Sequence, residues 1–198
     1  MSENTIKDGT GNAYGLEINK QNKAQTLAVS ETIAAHHAFS GEAYNINTGT
    51  FSLTGASKSA LLYLKNNEDE PLIVTALFYL IGSNTGGTGD HLIQVERNPT
   101  GGTLVSGGAA FTAVNRDFGS SNTLSADLIK TDTENQTLTG GVVAIESIFS
   151  GEGRQVLTVG AIVLRKGNSI GVTITPKPST SAMDIQIALS VYRATELT

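Results

Sequence analysis

Chemistry in this chain would have to come from very few groups. Its histidines are His36, His37 and His91. Neighbouring residues diverge in direction on a helix or a strand, so His36 and His37 do not converge on one metal ion, and His91 lies in another segment. A metal site from His91 with Asp90 or Glu96 is weaker than the bland reading of exposed or capping histidines. The carboxylates Glu68, Asp69 and Glu70 in "NNEDEP" lack the alternating oxygen spacing of a loop that wraps calcium, and read as a solvated hairpin tip. "SNTGGTGD", residues 83 to 90, is rich in glycine, but no Lys-Ser/Thr pair follows and no helix N-terminus faces it. It reads as an inter-strand loop, not a phosphate cradle.

Covalent catalysis is equally poorly supplied. Serines are common, yet no G-x-S-x-G elbow occurs, and without cysteine there is no thiolate nucleophile and no sulfur-ligated zinc. Glu146 and Asp184 could meet across a β-sandwich as a glycosidase pair, but the chain is poor in aromatic residues and has no Trp for stacking sugars. The expectation is a noncatalytic protein without a cofactor. The net charge of −5 is spread thinly, with no block of Lys or Arg to neutralise phosphates, so neither nucleic acid nor an anionic membrane is an expected partner. The start of the chain lacks the apolar core of a secretory signal, and no apolar run reaches the roughly 18 residues of a membrane span.

The elements that must carry these residues are mostly strands. Its 198 residues fit one domain, or one domain with an appendage. Residues 1 to about 29 are polar and punctuated by glycine, and their large apolar side chains are scattered. Such a segment buries too little to order itself, and an extended arm is expected. "SETIAAHHAF" then offers Ser30 as an N-cap for one short helix ending near Gly41. From Ala43 onward apolar residues alternate or form short runs bounded by Gly, Asn, Ser and Pro. "AYNINTGTFSLT" reads as two strands across an "NTG" turn, and "GTLVSG" and "RQVLTVGAIVLRKG" each read as one further strand. Gly119 to Thr139 reads as a long surface loop. Nine or ten strands without crossover helices predict an all-β protein, an antiparallel β-sandwich of jelly-roll or immunoglobulin-like type. The predicted division is an arm with its helix over residues 1–40 and a sandwich over 41–198.

The run "LIVTALFYLI", Leu72 to Ile81, is apolar at nearly every position, which predicts a central strand covered on both faces. Leu77 and Tyr79 would share one face, Phe78 and Leu80 the other. Phe78 is expected in the core, and Tyr79 on a face covered by the arm or a neighbouring subunit. Together with Tyr14, Leu16, Ile18 and Leu27 of the arm, Tyr79 forms the expected set of assembly contacts.

The order "DGTG", "GLEINKQNKAQTLAVSE", "AYNINTGTFSLT", "LLYLKNNEDEPLIV", "RNPTGGTLVSG" and "DFGSSNTLSADLIK" resembles small virion structural proteins of tailed bacteriophages, particularly marine ones. The likeness spans most of the chain and consists of turns and strand edges, so no catalytic residue carries over. It implies a building block of the phage particle, foremost a capsid decoration or cement protein on the head surface. Its implied partners are the major capsid protein or another virion protein and further copies of itself, a homotrimer being expected. The alternative is a tail or head-fibre module whose loops bind a host receptor or glycan.

Overall fold

The computed structural model describes residues 5–7, 13–15, 33–54, 57–84, 90–157, 162–176 and 183–194. The chain divides into two compact units, Met1–Thr32 and Ile33–Thr198. In the first, β1 (Thr5–Lys7) pairs antiparallel with β2 (Ala13–Gly15), with Ile6 opposite Tyr14. Leu16, Ile18 and Leu27 lie outside the described residues.

The second unit begins with α1 (Ile33–Phe39), so the short helix groups with the sandwich and not with the arm. It packs beside β3 (Ala43–Leu53), and its His37 ring stacks on Tyr192 at 4.4 Å between centroids. The chain continues through β4 (Ser59–Asn66), β5 (Leu72–Asn84), β6 (Asp90–Arg97), α2 (Thr103–Gly107), β7 (Ala109–Ala110), β8 (Val114–Asn115) and β9 (Ala126–Lys130). It ends with β10 (Val142–Ser150), β11 (Gly153–Leu157), β12 (Ile162–Leu164), β13 (Ser169–Thr175) and β14 (Met183–Arg193). These strands form an all-β sandwich of two antiparallel sheets. One runs β10-β6-β13-β4-β9-β7, the other β11-β5-β14-β3-β8, with β12 also on β5.

Alternation along the strands builds the core. In β14, Met183, Ile185, Ile187, Leu189 and Val191 are buried while the residues between them are half-buried, the period of two that turns one face inward. β4 and β13 are buried on both faces because a second apolar cluster covers their outer side. There Leu104 of α2 meets Ala60 and Tyr63, joined by Ile129 and Leu138. Gly171 of β13 makes this cover possible, since a Cβ at that position would collide with Leu138 Cδ1.

Several expectations change. "AYNINTGTFSLT" is one continuous strand, and "NTG" is a bulge within β3: Asn47 sits opposite Ala188 and Thr50 opposite Gln186. Thr48 is turned inward, its hydroxyl accepting from Ile187 N–H at 3.0 Å, and Gly49 at φ +71° takes the left-handed conformation the extra residue needs. "GTLVSG" forms α2, because Leu104 is drawn into the outer cluster. "RQVLTVGAIVLRKG" supplies two strands, β11 and β12, both on β5. The expected loop from Gly119 to Thr139 contains β9, which pairs along β4 from Leu62 to Asn66. "NNEDEP" is tied down: buried Asn66 donates to the Glu70 and Leu164 carbonyls at 2.9 and 2.8 Å and accepts from Glu68 N–H at 2.8 Å.

β5 is central, as expected, but its faces are reversed. Tyr79 is only 4% exposed, packed edge-on against Phe149 at 5.5 Å, so it belongs to the core of the subunit and not to an outer face. Phe78 and Leu80 point outward. Leu77→Ala is therefore expected to cost about 2–5 kcal/mol, and Phe78→Ala about 1 kcal/mol. Urea unfolding of the two variants checks this ordering.

Burial also gives the fold a pH dependence. His37 and His91 are buried. Burial pushes the His37 imidazole below its ordinary value, with His36 adding to the effect and Glu42 opposing it. Burial likewise lowers His91, against the pull of Asp90. The unfolded chain then takes up these protons first, so stability present above about pH 6.5 is lost as the pH falls towards the lowered native values. The thermal midpoint should decline between about pH 7 and 5, and His91→Gln should flatten that decline.

Candidate functional site

The chemical candidates do not converge. His37 belongs to the α1 packing, while His91 lies on β6 in the other sheet. Glu146, on the outer face beyond β6, accepts from Gln94 Nε2 at 2.7 Å. Asp184 lies on the outer face of the opposite sheet and accepts from the Ser52 hydroxyl, so the two carboxylates face away from each other. Glu68 accepts from Ser125 N–H at 2.7 Å and pairs with Arg193 at 3.3 Å, which makes it an anchor of the turn. Most of the glycine-rich loop lies outside the described residues, and no group of three or more His, Asp or Glu among the described residues could hold a metal ion.

Two surfaces stand out instead. The first is the flank where β10 ends one sheet and β11 and β12 end the other. Among the described residues each of these strands pairs on one side only. The edges leave a cavity of about 230 Å³, lined chiefly by apolar groups including Val95, Ile145, Ile162, Leu164 and Ile170. Of the residues lining it Val163 is 48% exposed, and along β10 itself Val142 is 63% and Ile148 69% exposed. At the opposite flank β7 and β8 likewise pair on one side only among the described residues, and Arg116 N–H donates to the Ala43 carbonyl at 2.8 Å and Asn115 Nδ2 to the Gly41 carbonyl at 2.9 Å. A flank with open edges and exposed β-branched side chains invites a protein partner.

The second surface is a recess of about 420 Å³ on the outer face of β5, β14 and β3. Across the strands run two rows, Arg154–Leu80–Gln186–Thr50 and Val156–Phe78–Ala188–Asn47. The Arg154 guanidinium lies 4.7 Å from the Phe78 ring centroid, a cation–π contact. Asn47 Oδ1 accepts from Gly49 N–H at 2.9 Å and from Gln186 Nε2 at 2.7 Å, so the β3 bulge holds both amides in place.

Of these recess residues the sequence points only to Phe78 and Leu80, as one face of a buried strand, and to none as a binding group. Asn45 and Asn47 carried a usable signal, since they alternate with Tyr44 and Ile46 and so must face outward. Arg154 carried none, because only strand register brings it beside Leu80.

No protein family model matches the chain, and no curated protein does. Among solved structures it is similar in part to a CocE/NonD family hydrolase from Staphylococcus aureus, at 10% identity and a TM-score of 0.19, over 76% of this chain and 33% of that one. A VP2 subviral particle of infectious bursal disease virus aligns at 12% identity and a TM-score of 0.18, over 77% of this chain and 41% of that one. For a decameric BFDV capsid protein the identity is 16% and the TM-score 0.19, over 77% of this chain and 99% of that one. The chain thus spans about a third of the hydrolase's length and about two fifths of the subviral particle protein's. Superpositions this poor carry no information about function.

Proposed function

We propose that this chain is a noncatalytic structural subunit of a tailed-phage particle, of the capsid decoration kind, and that it attaches to its neighbours through the β10/β12 flank. The observation that carries the reading is that flank, where Val142 and Ile148 stand exposed on β10 and Val163 beside an apolar cleft, between two strand edges that are open among the described residues. A neighbouring chain that adds a strand to β10 would satisfy its free backbone groups and cover these side chains in one step. The resemblance to phage virion proteins agrees with this, and so does the N-terminal segment, which would clamp an adjoining subunit of a trimer or the major capsid protein. The head surface is the location this reading assigns.

The test separates folding from attachment. The double variant Val142→Lys/Ile148→Lys should unfold at the same temperature as the parent protein, since both side chains already face solvent, yet fail to bind particles stripped of the protein. Deleting residues 2–28 should likewise leave the Ile33–Thr198 unit folded and weaken binding. Binding of the double variant at undiminished affinity would remove the flank from the reading. A copy number of only a few per particle would move the protein from the head surface to the tail.

A further inference from the structure

The recess over Phe78 lies apart from the flank residues that carry the assembly reading, and its chemistry is different. We propose that it binds a carboxylate-bearing saccharide, with a uronic or sialic acid unit as the recognised group.

The cation comes first. Arg154 rests on the Phe78 ring and makes no hydrogen bond or ion pair with another described residue. The ring orders the guanidinium without consuming its N–H groups, which remain available as the planar fork that a carboxylate matches bidentately. The chain as a whole is acidic, so a preordered and uncompensated Arg is a site for an anion.

The surroundings select the rest of the ligand. With Asn47 Oδ1 occupied twice, its Nδ2 is left free as a donor, and Gln186 Oε1 is left free as an acceptor. Asn45 accepts from the Ser190 hydroxyl at 3.5 Å and keeps its own Nδ2 free. Fixed donors and acceptors side by side suit hydroxyl groups, which do both. Leu80, 42% exposed, and Ala188 offer an apolar floor for the C–H face of a sugar ring. The volume of about 420 Å³ falls within the roughly 300–1,000 Å³ range of small-ligand sites. All of these groups stand on paired strands, so little ordering is needed on binding.

A phosphate group fits less well. A single guanidinium would face a dianion, and Asp184, further along the same face and held by Ser52, would repel it more strongly than a carboxylate.

The experiment is a titration of the isotope-labelled full chain by NMR with three probes: an oligogalacturonate, sialyllactose, and the methyl ester of the oligogalacturonate, which keeps every hydroxyl but loses the charge. At least one acid should give saturable shifts centred on the Asn47 and Gln186 side-chain amides and Arg154 Nε. The ester should bind at least about tenfold more weakly than its acid, and Arg154→Gln should lose about tenfold for the bound acid. Arg154 faces solvent, so its variant should keep the parent's thermal midpoint, and Asn47→Ala should weaken acid and ester alike. Absence of saturable shifts with both acids, shifts centred elsewhere, or unchanged binding by Arg154→Gln would overturn the proposal. Preferential binding of glucose 6-phosphate over the uronate would overturn the carboxylate assignment. The flank variant Val142→Lys/Ile148→Lys should bind the acid normally, so failure of the assembly reading and failure of this one are distinguishable.

Discussion

The register of β5 is the constraint on which the rest depends. This strand pairs with β14 along one edge and with both β11 and β12 along the other. Its inner face supplies Leu72, Val74, Leu77, Tyr79 and Ile81 to the main core, and the register shift opposite Ser190 and Val191 lets Val74 and Leu77 both point inward across an odd spacing. A slip by one residue would put Phe78 and Leu80 inside and Tyr79 outside, at the expense of most of that burial. Once this phase is set, Phe78 must face outward, Arg154 must come to lie beside it, and β12 must meet β10 across the flank. Both candidate surfaces follow from one strand's alternation.

Polar groups pin what the core leaves free. Arg193 at the end of β14 reaches Glu42 just before β3 and Glu68 in the turn before β5, and all three side chains are largely buried. Charges withdrawn from water stay only where they are paired, so this cluster joins the start of one strand, the end of another and a turn at a single end of the sandwich. Asn66 does the same for the turn and the end of β12. Its amide has no access to water, and it compensates with the carbonyls of Glu70 and Leu164 and the N–H of Glu68. The acids of "NNEDEP" therefore serve architecture.

The two candidate surfaces differ in how far they could be read from residues alone. The β10 flank was half visible: "GVVAIESIFS" is plainly a strand, but whether it ends a sheet depends on which partners the other strands take. The recess was nearly invisible. Its groups come from residues 45–47, 78–80, 154 and 186–190, brought together by cross-strand register alone. The arm contacts Leu16, Ile18 and Leu27 lie outside the described residues. Tyr79 reads as an outer-face residue from the sequence because a run apolar at every position gives no indication of which of its two faces meets the opposing sheet.

The class of fold is legible in the residues alone, because a period of two repeated over many short segments can bury one face only in stacked sheets, and so is the short helix before Gly41, because helical spacing is a local property. It also excluded thiol chemistry outright. The tertiary structure decided everything that depended on a distant partner. "NTG" became a bulge because β14 runs past it without a break, "GTLVSG" became helical because Leu104 fills the outer cluster over Ala60 and Tyr63, and the segment after Gly119 gained a strand because β4 had an edge to offer. Which face of β5 looks inward was settled by the same means, since local sequence prescribes alternation but only the opposing sheet gives that alternation a direction.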